Sequence, residues 1–71
     1  MVNTLKIKGR LAELGLTQKD VAAALKCALP TVSQKINNVR PMYLNEADLL
    51  AKLLKIREED YYEYFFTQIV A

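Results

Sequence analysis

The chain predicts an all-α fold, a compact five-helix bundle, and three observations carry that expectation. Apolar residues recur at helical spacing along its length, capping residues and glycine or proline interrupt them at short intervals, and no segment alternates apolar and polar residues as a half-buried strand would. With 71 residues and 52% apolar content there is material for a single core, so residues 1–71 are expected to form one domain. At this length only roughly 60% of the unfolded surface can be buried, which makes the fold marginal.

Asn3 or Thr4 can cap a first helix running to about Leu14, in which Ile7, Leu11 and Leu14 form the buried stripe. Gly9 weakens that helix and suits close packing against a neighbour, while Gly15 ends it by tolerating a left-handed conformation. Thr17 opens a second helix through a capping box with Asp20; Val21, Ala22 and Leu25 face inward, and the small run Ala22 to Ala24 lets another helix cross closely. Pro30 cannot continue that helix but fits the first turn of a third, expected over Leu29 to Ile36 with Val32 and Ile36 inward. Asn37 to Pro41 is the first true loop. Asn45 is the expected cap of a fourth helix from Glu46 to Lys55, with Ala47, Leu50 and Leu54 buried and Leu49 and Leu53 widening the stripe. A fifth starts near Arg57. Its acidic first turn, Glu58, Glu59 and Asp60, suits the helix dipole, and Tyr61, Tyr64 and Phe65 can close the core. Tyr62 and Phe66 are candidates to face a partner subunit, and the apolar tail from Thr67 to Ala71 is left without an assigned conformation.

Composition excludes much chemistry. The chain has no histidine, no tryptophan and one cysteine, so the commonest general base and the usual metal ligands are missing; no catalytic activity, metal site or cofactor is expected. Cys27 has no companion thiol, reads as a small buried turn residue, and fits a reducing cytoplasm. No apolar run approaches the ~18 residues of a membrane span, and no leader-like pattern opens the sequence, so no membrane association is expected. Charge is unevenly divided. Up to Tyr43 seven bases (Lys6, Lys8, Arg10, Lys19, Lys26, Lys35 and Arg40) oppose Glu13 and Asp20 for a net +5, whereas the remainder carries −3. A basic part beside an acidic part suggests that one face meets a polyanion, although a merely solvated surface would read the same way.

The stretch Thr17 to Asn38 concentrates the interest, because two short helices joined by a tight turn can be laid into the DNA major groove. A reader of DNA needs base-edge and phosphate contacts on one face. Helix three offers Gln34, whose amide can pair with adenine N6 and N7, and Ser33, which can bond several base edges. Leu29 and Pro30 present apolar surface suited to a thymine methyl. Gln18, at the start of helix two, and Lys35, Asn37, Asn38 and Arg40 are candidates for phosphate contacts.

Gly15-Leu16-Thr17-Gln18, then Val21-Ala22, Leu25, and Thr31-Val32-Ser33-Gln34-Lys35-Ile36-Asn37-Asn38 ending in Arg40-Pro41, resembles the helix-turn-helix of the phage repressor and Cro family. The small prophage-borne members ending in a Tyr-Phe-Phe-like segment look closest, matching Tyr64, Phe65 and Phe66. The resemblance spans about Leu5 to Phe66. It implies a lambda-repressor-like DNA-binding domain, a transcriptional regulator in the cytoplasm of a bacterial host cell that binds double-stranded operator DNA. Helix three would be the reader, and a homodimer is expected through helices four and five or the C-terminal tail. By position, Gln18 matches the helix-two glutamine of the family, Leu29, Pro30, Ser33 and Gln34 its base-facing positions, and Asn37 and Arg40 its phosphate-touching loop. Lys26 stands where the family usually has glycine, so either Lys26 is left-handed or the turn is built differently. Ala28 replaces the usual Ser or Thr cap of the reading helix, and Asn38 another common glycine. The rival reading is a protein-interaction module, such as an antitoxin-like or anti-repressor domain, because Leu29 and Pro30 also suit a protein groove.

Overall fold

The computed structural model describes residues 1–66, among which there are five α-helices and no strand. Residues 67–71, and with them the expectation that this tail joins two subunits, lie outside the described residues. Helix α1 spans Thr4–Glu13, α2 Gln18–Leu25, α3 Leu29–Ile36, α4 Leu44–Leu53 and α5 Glu58–Phe65. No helix among the described residues is long and apolar enough to cross a membrane.

Each helix starts where a side chain or turn satisfies its free amides. Asn3 is the cap of α1, its Oδ1 accepting from Lys6 N at 3.2 Å. At α2, Asp20 Oδ2 accepts from Thr17 N at 2.8 Å, the acid half of the expected capping box. Ala28 precedes α3 in an extended conformation and offers no side-chain oxygen, with Pro30 in the first turn. The expected cap of α4 is corrected. Tyr43, not Asn45, holds that position, because Glu46 reaches back to accept from Tyr43 N at 3.0 Å and so starts the helix two residues early; Asn45 lies in the first turn. Helix α4 also ends before Lys55, which is left-handed.

One geometry ends the first four helices. Leu16 N donates to Leu11 O, Cys27 N to Ala22 O, Val39 N to Gln34 O and Ile56 N to Ala51 O, at 2.8 to 3.1 Å, each closing a Schellman turn around one left-handed residue. Those residues are Gly15 (φ 68°), Lys26 (φ 54°), Asn38 (φ 62°) and Lys55 (φ 54°). The turn between α2 and α3 is thus built on a left-handed Lys26. Leu16, Cys27 and Ile56, each following its left-handed residue, tuck back against the core.

The core lies where α2 packs on α3 and α4, and α1 on α5. Ile7, Val21, Val32, Ile36, Leu50 and Leu54 are fully buried, each contributing about 1.5 to 3 kcal/mol of apolar transfer, and Leu11, Leu25, Ala47 and Phe65 complete the interior. Tyr61 and Tyr64 pack against it half-buried. Two expectations fail. Leu49 is 43% exposed and does not widen the α4 stripe, because Ala51, one residue beyond Leu50, takes the inner flank instead. A Cβ on Gly9 would meet nothing within 4 Å, so this glycine serves no close packing. Of the small run in α2, Ala22 meets the core while Ala23 is exposed.

Candidate nucleic-acid interface

The starts of α2 and α3 converge on one open groove, lined by Thr17, Gln18, Lys19, Leu29, Pro30 and Ser33. Two features of the chain bring them together. The left-handed Lys26 folds α3 back across α2, and Val21 and Leu25 on α2 are buried in the same core as Val32 and Ile36 on α3. With those inner positions taken, the residues one helical face away are left toward solvent. Leu29 is 43% exposed, Pro30 is exposed, and Ser33 and Gln34 are half-buried. Helix α3 has eight residues, so this face runs for about 12 Å, enough to follow one stretch of a major groove.

Of the nine residues proposed from sequence, six fall into three outward places, while Gln34 is half-buried on α3 outside the groove and Lys35 and Asn38 turn inward. Gln18, Leu29, Pro30 and Ser33 share the groove. Arg40 is exposed on the following loop, its backbone amide bonded to Gln34 O at 3.2 Å, and lines a second groove with Met1, Val39 and Phe66. Asn37 folds back along α3, its Nδ2 donating to Ser33 O at 2.8 Å and approaching Ser33 Oγ at 3.4 Å, so the Ser33 hydroxyl and the Asn37 amide are already in contact with one another.

Lys35 and Asn38 are corrections. Lys35 is 8% exposed, and its ammonium is ion-paired with Glu46 of α4 and lies 5.1 Å from the centre of the Tyr43 ring, so it does not reach a phosphate. Asn38 spends its whole amide on the N-terminal segment: Oδ1 accepts from Val2 N at 2.9 Å, while Nδ2 donates to Val2 O at 2.9 Å and Thr4 Oγ1 at 3.3 Å. Thr4 Oγ1 in turn donates to Ile36 O at 2.6 Å. Both residues therefore fix the position of α3 rather than extend its surface.

Lys19 enters the groove without having been singled out in the sequence, where the only signal is a base next to Gln18 in the first turn of α2. The electrostatics of the basic half are also rearranged. Lys6 pairs with Glu63 at 2.7 Å, a contact that raises its pKa, and Arg10 Nε donates to Leu54 O at 2.9 Å at the C-terminus of α4. These bases bind the acidic half to the rest of the fold. Lys8, Lys19, Lys26 and Arg40 remain exposed.

Glu46 is the most heavily used carboxylate of the site. Oε1 accepts from Tyr43 N, and Oε2 accepts from Lys35 Nζ and from Cys27 Sγ, the last at 3.7 Å. Burial pushes its pKa up, but the Lys35 ammonium, the Tyr43 amide and the Cys27 thiol outweigh that and hold it below the usual carboxylate value. No group of acids, cysteines or histidines among the described residues is placed to hold a metal ion. No protein-family model, no curated protein and no solved structure matches this chain.

Proposed function

We propose that α2 and α3 form a helix-turn-helix and that the protein is a sequence-specific DNA-binding regulator that reads the major groove with α3. The observation that carries this reading is the shared groove, where Gln18 and Lys19 stand beside the exposed Leu29, Pro30 and Ser33. Phosphate-seeking and base-seeking groups thus lie on one face, as positioning and readout require. In this reading Leu29 and Pro30 approach thymine methyls, Ser33 and Gln34 bond base edges, and Gln18, Lys19, Asn37 and Arg40 engage the flanking backbone. Two copies related by a two-fold axis would place their α3 helices roughly 34 Å apart, one turn of DNA. The exposed Tyr62 on α5 and Phe66 just after it are the surface available for that pairing.

Selection of bound duplexes from a random-sequence library tests the reading. A palindromic site is expected, with log affinity falling linearly against log salt by about 0.9 per phosphate contacted. Absence of any enriched sequence, or a flat salt response, overturns it.

The second reading, a protein-interaction module, draws support from the apolar wall that Leu29 and Pro30 give the groove. An amphipathic segment of a partner would anchor there by apolar contact. Amide shifts at α3 on adding a partner protein, with duplex DNA leaving the spectrum unchanged, would decide for it.

A further inference from the structure

We infer that Glu46, through Lys35, is a positioning residue that sets the rotation of α3 about its own axis, and with it the sequence specificity of the face that α3 presents. The inference rests on the DNA-binding reading above.

Glu46 joins three elements through one carboxylate. Oε2 takes the Lys35 ammonium of α3 and the Cys27 thiol of the α2–α3 turn, and Oε1 takes the Tyr43 amide that starts α4. All three are contacts within the described bundle, yet none adds an outward group. Apart from them, the inward side chains of α3 are Val32 and Ile36, whose contacts are apolar and non-directional, and the other bonds to the helix, from Thr4 Oγ1 to Ile36 O and from Asn38 to Val2, hold its C-terminal end rather than the turn that carries Ser33 and Gln34. Two aliphatic side chains four residues apart fix the depth of a short helix better than its roll. A hydrogen-bonded ion pair is directional. Lys35 lies one residue beyond Gln34 and two beyond Ser33, so seating its ammonium on Glu46 fixes where those two side chains point. The side chains of the pair are 9% and 10% exposed, so water competes little for it.

Burying two charges is seldom a net gain in stability over well-packed apolar residues, whereas a buried pair can define one arrangement among several. The pair therefore serves aim more than strength. Its replacement by Lys35→Met with Glu46→Leu removes both charges together and leaves no unpaired ion. The probes are a duplex selected by the wild-type chain from a random library and a random duplex of equal length. The double variant is expected to stay folded, its melting temperature set by the gain from exchanging a buried ion pair for apolar packing against the loss of the bond to Tyr43 N, and to bind random duplex with unchanged affinity and salt slope. Its preference for the selected duplex should fall about tenfold, the scale of one mismatched base pair. An unchanged preference in the folded double variant overturns the inference and leaves the DNA reading intact. A wild-type chain that enriches no duplex overturns the DNA reading, and this inference with it, before any variant is made. If the apolar pair does not fold, Lys35→Gln with Glu46→Gln, which keeps a neutral hydrogen bond, is measured the same way. Failure of both pairs to fold overturns the inference, since the ion pair would then hold the domain together.

Discussion

Lys35 on α3 and Glu46 on α4 form an ion pair from which water is nearly excluded, although Lys35 reads as a surface position in the sequence. Removing only one partner leaves the other charged, buried and unpaired. Glu46→Ala is therefore expected to lose about 3 to 5 kcal/mol in urea denaturation, a large share of the stability of any small domain. The pH dependence follows from the same site. The Glu46 carboxyl is held below its ordinary value of 4.5 in the fold, so its contribution is complete above that value and is lost as pH falls through the lower, folded value. In Glu46→Gln the acid limb of the stability curve should flatten in that window. An unaltered acid limb would show that other carboxyls dominate.

Left-handed lysines are a reserve of stability. Lys26 and Lys55 adopt φ 54° at helix ends where a side chain costs about 1 kcal/mol relative to glycine. Lys26→Gly and Lys55→Gly should each raise the midpoint of thermal unfolding, and their effects should add, since one lies after α2 and the other after α4. Gly15→Ala should act in the opposite sense. Nothing lies within 4 Å of the added Cβ, so a loss there reports the backbone conformation alone.

Tyr61 provides a titration that can be read in absorbance. Burial, together with the bond from its hydroxyl to Asp48 Oδ1 at 2.8 Å, pushes its pKa from 10.0 to about 12. One of the four tyrosines should ionise late in an alkaline titration followed at the phenolate band. Because the fold favours the neutral phenol, its contribution to stability is complete below pH 10 and is lost as pH rises through about 12. In Asp48→Asn the transition should move down only part of the way, since burial is the larger cause. A full return to 10 would assign the shift to Asp48 alone.

On DNA, residues that read bases and residues that hold phosphates should separate. Gln34→Ala is expected to cost about 1 to 3 kcal/mol on a selected duplex and little on random duplex. Lys19→Ala and Arg40→Ala should weaken both alike and lower the salt slope by about one each. Equal losses for Gln34→Ala on the two duplexes would place that side chain outside the base-reading set.

Local signals made the fold legible. Asn3, Thr17 with Asp20, Gly15 and Pro30 act over a few residues, and they set the limits of α1, α2 and α3 closely. What escapes such reading is a bond between distant residues. Glu46 starts α4 by its own reach to Tyr43 and by its pairing with Lys35, so Asn45 wins the cap on local grounds but not in the fold. The candidate site divides the same way. Gln18, Leu29, Pro30 and Ser33 are outward by helical spacing and do meet in one groove. Lys35 and Asn38, polar and adjacent to them in sequence, turn inward because Glu46 and Val2 supply partners from 11 and 36 residues away. Lys35 stands three residues after the buried Val32, and that inner-flank spacing is the one clue to its position.

The clasp formed by Val2, Asn3 and Thr4 carries a kinetic consequence. Val2 meets Asn38, Thr4 meets Ile36, and Asn3 N donates to Tyr64 O at 2.7 Å, so these bonds close loops of more than thirty residues and form only once α3 and α5 are in place. Contacts made that late are largely absent from a folding transition state, and weakening them speeds opening more than it slows folding. Thr4→Ala, which removes the bond to Ile36 O, is accordingly expected to raise the unfolding rate more than it lowers the folding rate in stopped-flow measurements, so that the first residues of the bundle would set how long the assembled domain lasts.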